Sequence, residues 1–109
     1  MKRIFPLMAV LFLTALSMQA QTRSVSGRVI DNEQKEAVVQ ATVAMLRQDS
    51  TLVANAKTNL DGQFTMTAPQ NGTFIVRITY VGYKPFYRNI TVSGSPVDMG
   101  NLAISHLLA

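Results

Sequence analysis

Asn59-Leu60-Asp61-Gly62-Gln63-Phe64 is a polar turn that runs directly into an alternating apolar segment. Asp-Gly favours a tight reversal, because glycine adopts positive φ without steric cost and aspartate can hydrogen-bond its own backbone. Because an extended run lies on each side, the turn predicts a hairpin that sets strand register. Similar turn residues recur at Asn71-Gly72, Gly82 and Gly94. The stretch therefore predicts an all-β domain in which Asp61, Gly62, Gly72 and Gly82 are structural turn residues.

Short segments with strand character lie between these turns. The clearest is Thr73 to Tyr80, in which Phe74, Val76, Ile78 and Tyr80 share one face and the first three should enter the core. The predicted strands cover residues 23–30, 41–46, 52–58, 63–67, 73–80, 86–92 and, more weakly, 99–104. Short strands spaced about ten residues apart and separated by turn residues indicate a seven-stranded antiparallel sandwich.

The first 20 residues have the features of a signal peptide. Lys2 and Arg3 precede the apolar run from Leu7 to Leu16, and Ala20 offers a cleavage position. An uncleaved membrane anchor is the alternative, but the apolar run is shorter than the ~20 residues that span a bilayer. We therefore expect a signal-peptide helix over residues 1–20 and an exported chain beginning near Gln21.

The composition indicates a globular chain and excludes several classes of protein. Of the 109 residues, 48% are hydrophobic and 15% charged, and there is no cysteine, which excludes disulfides, thiolate metal sites and a lipidated cysteine. Removing Lys2 and Arg3 leaves eight basic residues against six acidic ones, so the formal charge falls from +4 to +2. Because the basic residues are scattered, nucleic acid is not expected as a partner. We expect one sandwich over residues 21–104 and a tail or truncated linker over 105–109.

Several motifs follow one another in a distinctive order along the mature chain. They are Ser26-Gly27-Arg28-Val29-Ile30-Asp31, Ala41-Thr42-Val43, Thr58-Asn59-Leu60-Asp61-Gly62-Gln63-Phe64, Gly72-Thr73-Phe74 and Tyr80-Val81-Gly82-Tyr83. This order resembles the carboxypeptidase-regulatory-like domain, a transthyretin-like seven-stranded sandwich found at the N-terminus of TonB-dependent receptors and related outer-membrane proteins of Bacteroidetes-type bacteria. The resemblance covers about Val25 to Ile104.

The resemblance implies an accessory or interaction role without catalysis, in the periplasm or at the outer membrane. In that family the domain precedes a plug and a β-barrel, which 109 residues cannot also hold. We therefore expect either an isolated module or a receptor fragment, with membrane attachment only through a separate or missing barrel.

The central turn has one alternative interpretation, the start of a calcium loop. Asn59, Asp61 and Gly62 have suitable spacing, but Lys57 then falls on the first ligand position and Ala68 on the twelfth, where carboxylates are needed. A structural turn is therefore favoured, and no metal is expected.

Aromatic residues cluster around Gly82. In one interpretation Tyr83 and Tyr87 form a face for a protein partner or a glycan. In the other, which is favoured, Tyr80 and Phe86 cap the core while Tyr83 hydrogen-bonds a neighbouring loop. Both interpretations remain open.

Catalytic groups are scarce. His106 is the only histidine and lies in the predicted tail, so neither a zinc site nor a histidine-activated nucleophile is indicated. The acidic pairs Asp31 with Glu33 and Glu36 with Asp49 lie in predicted solvated loops, where carboxylates are usual without a function. The sequence therefore predicts no catalytic residue and no cofactor.

The leading hypothesis is an exported, non-enzymatic domain that binds protein partners in the cell envelope through an exposed strand edge. The second hypothesis is a carbohydrate-binding module that uses Tyr83 and Tyr87.

Overall fold

The computed structural model describes residues 23–108, which form seven strands. The signal peptide predicted for residues 1–20 lies outside the described residues. None of the described residues forms a helix that is long and apolar enough to cross a membrane. The strands are β1 (Ser24–Asp31), β2 (Thr42–Leu46), β3 (Leu52–Lys57), β4 (Gln63–Thr67), β5 (Gly72–Thr79), β6 (Phe86–Val92) and β7 (Val97–Ile104).

The strands form two sheets, one of order β4-β1-β7 and one of order β3-β2-β5-β6. The predicted seven-stranded sandwich is thus confirmed. Within residues 23–108, four of the five strand pairs are antiparallel, as predicted, while β1 and β7 run parallel. This is possible because β7 follows a strand of the opposite sheet, so no tight hairpin dictates its direction.

Alternation along the strands decides which side chains enter the core between the sheets. Phe64 and Met66 of β4 are buried, and so are Phe74, Val76 and Ile78 of β5, as the sequence predicted. Burying a side chain of this size contributes roughly 1.5–3 kcal/mol to folding. Tyr80 does not continue this face, because β5 ends at Thr79 and Tyr80 is 38% exposed.

The turn at Asn59–Gly62 is a corner between the two sheets, so the hairpin prediction was wrong. The turn leads from β3 of the four-stranded sheet to β4, which pairs with β1 in the other sheet. Asn59, and not Asp61, fixes its shape: Asn59 Oδ1 accepts hydrogen bonds from the backbone N–H groups of Asp61 and Gln63, each at 2.9 Å. Local turn chemistry identifies the reversal but not the strand with which the chain pairs next.

Gly62 attaches this corner to β1. Val29 N donates a 2.8 Å hydrogen bond to Gly62 O, and Gly62 has a φ of +78°. A Cβ at this position would lie 2.6 Å from Val29 O and 3.1 Å from the Cβ of Ala37. Both the backbone conformation and the close approach therefore require glycine.

The other predicted turn glycines have different environments. Gly72 begins β5 with a φ of +143°, where the chain returns from β4 to the opposite sheet, so this turn is a second corner. Gly82, with a φ of +88°, lies in the loop of the β5–β6 hairpin. Of the turn glycines in the prediction, only Gly82 lies in a hairpin between two neighbouring strands of one sheet in the described part of the chain.

The segment after Ile104, predicted as a tail or truncated linker, forms hydrogen bonds with the β5–β6 loop. Lys84 N donates to Ser105 O at 2.8 Å, and Leu107 N donates to Gly82 O at 2.9 Å. Residues 105–107 therefore lie against the β5–β6 loop, where Tyr83 and His106 form an isolated backbone bridge.

We expect Gly62→Ala to destabilise the domain much more than Gly94→Ala. Gly94 has a φ of +92°, but a Cβ added there would meet no atom within 4 Å, so alanine introduces only backbone strain, about 1–2 kcal/mol. Gly62→Ala adds the contact with Val29 O and should lose about 2 kcal/mol more. Urea unfolding of both variants measures the difference, and equal losses would contradict the close-approach explanation.

Candidate functional site

Asp31 is a buried carboxylate at the end of β1, not a residue of a solvated loop as the sequence predicted. It is 6% exposed. Its Oδ1 accepts hydrogen bonds from the backbone N–H groups of Glu33 at 2.7 Å and Gln34 at 2.9 Å, which shapes the loop that follows. Its Oδ2 accepts a 2.6 Å hydrogen bond from the Tyr83 hydroxyl. Both carboxylate oxygens are therefore held in fixed directions.

His106 completes this group. Its Nε2 lies 2.9 Å from Asp31 Oδ2 and 3.8 Å from Glu33 Oε1. The imidazole stacks on the Tyr83 ring with centroids 4.4 Å apart, and the backbones of Tyr83 and His106 form a bridge. We call Asp31, Glu33, Tyr83 and His106 the Asp31 cluster.

The hydrogen bonds of the cluster shift the pKa of its two best-connected groups. The Tyr83 hydroxyl, followed by the Gln34 N–H, lowers the pKa of Asp31 from 3.8 to about 2. The same hydrogen bond raises the pKa of Tyr83 from 10.0 to about 12, because the Asp31 carboxylate holds the phenol proton, and burial adds to the rise. Asp31 is therefore an anion and Tyr83 a neutral donor at neutral pH.

The sequence draws attention to Asp31, Glu33, Tyr83 and His106 separately but does not place them together. Asp31 and Tyr83 are 52 residues apart, and His106 was assigned to a tail. One signal was available: His106 continues the two-residue alternation of the buried Leu102 and Ile104, which indicates that the extended chain reaches it.

The outer face of the four-stranded sheet is the second candidate site. Because Val76 and Ile78 face the core, their neighbour Arg77 faces outward, between Ala44 of β2 and Tyr87 of β6. Tyr87 is 60% exposed. The Nε atom of Arg77 is buried and has no hydrogen-bond partner among residues 23–108.

This sheet also carries charge of one sign. Within the described strands β2, β3, β5 and β6 there are basic residues and no carboxylate. The basic residues are Lys57, Arg77 and Arg88. By strand alternation Lys57 and Arg77 lie on the outer face together with the exposed Tyr87, whereas Arg88 lies on the side of Phe86, with its guanidinium over the Phe86 ring. The outer face is therefore basic through Lys57 and Arg77 and carries an exposed aromatic ring.

The structure does not bring Tyr83 and Tyr87 into one face. The Tyr83 hydroxyl points to Asp31 of the three-stranded sheet, whereas Tyr87 lies on the outside of the other sheet. Phe86 packs against the core, and Tyr80 contacts Tyr83 with ring centroids 5.7 Å apart. A binding role for Tyr87 stays a prediction.

Among the sheet edges of residues 23–108, β6 offers the longest regular one. All seven of its residues pair with β5 without a shift in register. By contrast, the register of β7 against β1 changes between Ser26 and Arg28, and that of β3 against β2 changes between Met45 and Leu46. The fourth edge strand, β4, has only five residues. Shifted and short edges resist the addition of a further strand, whereas a regular one permits it.

Two of the oxygen atoms that a calcium loop could use at the central turn already accept hydrogen bonds. Asn59 Oδ1 accepts two backbone hydrogen bonds, and Arg28 Nε donates to the Asp61 carbonyl at 2.9 Å. A guanidinium at this place opposes cation binding.

Residues 24–105 match the family model of the carboxypeptidase regulatory-like domain, and the chain belongs to this family. The family resemblance predicted from the turn motifs is thereby confirmed. No curated protein matches the chain.

Several solved structures share the fold at low identity. A 5-hydroxyisourate hydrolase from Klebsiella pneumoniae matches with a TM-score of 0.59 and 13% identity over 74% of this chain and 90% of that chain. A pilus 2b backbone protein of group B streptococcus has a TM-score of 0.59 and 12% identity, over 79% of this chain and 42% of that one. A DUF3823 family protein from Bacteroides uniformis has a TM-score of 0.52 and 16% identity, over 77% of this chain and 43% of that one. The chain thus spans less than half of the last two proteins, and these similarities show the fold.

We expect the free energy of unfolding of Tyr83→Phe to depend less on pH in acid than that of the wild type. Because the pKa of Asp31 is lowered on folding, its contribution is complete above about pH 4 and is lost as the pH falls towards about 2. Without the hydroxyl, the pKa of Asp31 should rise towards 3.8, and stability should change less across this interval. Carboxylate titration by NMR and urea unfolding between about pH 2 and 5 measure both effects.

Tyr80→Phe is the matched control, since the Tyr80 ring contacts Tyr83 but its hydroxyl is not a partner of Asp31. Equal acid profiles for the wild type and Tyr83→Phe would show that this hydrogen bond does not hold Asp31 ionised.

Proposed function

We propose that this chain is a non-catalytic interaction domain of an exported, receptor-type protein of the bacterial outer membrane, and that it binds a protein partner through β6 and the adjoining outer face. The observation that carries the proposal is the exposed Tyr87 directly opposite Arg77, on a sheet whose strands contain no carboxylate.

The residue types on this face suit protein recognition. Tyrosine and arginine supply much of the binding energy at many protein interfaces. The positive charges of Lys57 and Arg77 on this face favour a partner segment that carries acidic side chains. The regular edge of β6 has backbone groups that such a segment can meet in the extended conformation, as in strand addition.

The envelope context rests on other observations. The predicted signal peptide supports export, and the family resemblance supports placement next to an outer-membrane receptor or within one. The fold shared with a Bacteroides uniformis protein is consistent with that setting. Hydrolysis is not part of the proposal, because the similarity to the hydrolase is one of fold and this sequence has a single histidine.

Site-specific photocrosslinking in cells tests the proposed surface. A photoreactive amino acid replacing Asn89, which is exposed on β6, should give a discrete protein adduct in the envelope fraction. The same amino acid replacing Thr65, exposed on β4 of the other sheet, is the control and should give none. Adducts of equal yield at the two positions, or none at position 89, would contradict the proposal.

Substitution of Tyr87 then tests the contact itself. With the crosslinked partner purified, Tyr87→Ala should weaken binding about tenfold or more, since it removes an exposed aromatic anchor. Leu60→Ala is the matched control, because Leu60 is 83% exposed at the central corner, away from β6. Both variants should keep the wild-type melting temperature, so that a loss of binding is not a loss of fold.

A second function, carbohydrate binding, is favoured by the 60% exposure of Tyr87, whose ring can stack on a sugar. A glycan array separates the two functions. Carbohydrate binding that is lost in Tyr87→Ala and retained in Tyr87→Trp, without a protein adduct at position 89, would support this second function in place of the first.

A further inference from the structure

The Asp31 cluster combines the side-chain types that bind transition metals. Asp31, Glu33 and His106 each offer a ligand atom, and these atoms all lie within 4.8 Å of one another. The ligands come from the end of β1, the loop after it and the segment after β7. An imidazole with two carboxylates suits zinc and similar divalent ions, whereas magnesium and calcium prefer oxygen ligands alone.

The two distances from His106 Nε2 lie close to those expected around one shared ion. Two ligands bound tetrahedrally to zinc at about 2.0–2.1 Å lie about 3.3 Å apart. The His106 Nε2 to Asp31 Oδ2 distance is 2.9 Å, and the His106 Nε2 to Glu33 Oε1 distance is 3.8 Å. One distance must lengthen and the other shorten by a few tenths of an ångström, and the Glu33 side chain, 56% exposed, is free to move.

The surroundings of Asp31 resemble those of a metal-bound carboxylate. Its Oδ1 is held by two backbone N–H groups, and the Tyr83 hydroxyl orients Oδ2. Outer hydrogen bonds of this kind fix the direction of a ligand oxygen and strengthen metal binding. The His106 side chain is 41% exposed, so an ion can reach the site from solvent.

We propose that Asp31, Glu33 and His106 form a binding site for a divalent transition metal, with zinc as the representative ion, and that solvent completes the coordination. The bound ion joins the segment after β7 to the end of β1 and so stabilises the folded domain. This inference is independent of the proposed partner surface, which lies on the other sheet.

Isothermal titration calorimetry of the untagged, exported protein with zinc chloride tests the site. We expect one zinc ion per chain, a melting temperature that rises with zinc concentration, and no response to magnesium chloride. His106→Gln should abolish binding, Glu33→Gln should weaken it, and Tyr83→Phe should weaken it by about 10–100-fold. Asp49→Asn is the control, since Asp49 is an exposed carboxylate of another loop and its removal should change nothing.

Glu33→Gln distinguishes loss of the metal site from loss of the fold. The Glu33 carboxylate is exposed and lies 3.8 Å from His106, so its neutral counterpart should keep the wild-type melting temperature without zinc. No zinc binding by the wild type would overturn the proposal. So would binding that is equally tight in His106→Gln, because it would assign the ion to another part of the surface.

Discussion

The carboxylate of Asp31 is the contact on which one end of the sandwich depends. It lies at the end of β1, the central strand of the three-stranded sheet, and accepts hydrogen bonds from the loop toward β2 and from Tyr83 of the β5–β6 loop. His106 brings the segment after β7 to the same oxygen. Because these segments belong to both sheets, the carboxylate joins the sheets where their strands end. An unpaired anion with 6% exposure would be costly, so these hydrogen bonds are needed to stabilise this end of the domain.

This arrangement divides the domain into two regions with different properties. The end near Asp31 and the corner at Gly62 are held by hydrogen bonds between segments that are distant in sequence. The corner also requires glycine at position 62, because a Cβ there would meet the backbone of β1. The outside of the four-stranded sheet carries the exposed Tyr87 and the basic residues Lys57 and Arg77, and its edge strand β6 pairs with β5 without a shift in register. Ends that are fixed by hydrogen bonds suit the proposed partner surface on the four-stranded sheet. A surface held in one conformation loses little conformational entropy when it binds a partner.

Local sequence patterns predicted what depends on neighbours along the chain. Alternation identified the strands and the buried faces of β4 and β5, and the order of turn motifs identified the family. The same patterns do not say whether a turn joins neighbours in one sheet or crosses to the other, so Gly62 was assigned to a hairpin. They also predicted antiparallel pairing throughout, whereas β7 pairs in parallel with β1, which lies at the other end of the domain's sequence. The Asp31 cluster was missed for this reason, because its side chains meet only after both sheets have formed.

Amide hydrogen exchange on Asp31→Asn tests the central role of Asp31 most directly, since the single carbonyl oxygen of asparagine cannot serve both the backbone N–H groups and Tyr83. The amides of Lys84 and Leu107 donate to Ser105 O and Gly82 O in the paired segments beside the cluster. We predict that these two amides exchange much faster in the variant, while core amides such as those of Val43 and Val76 keep their protection. Unchanged exchange at Lys84 and Leu107 would contradict the account.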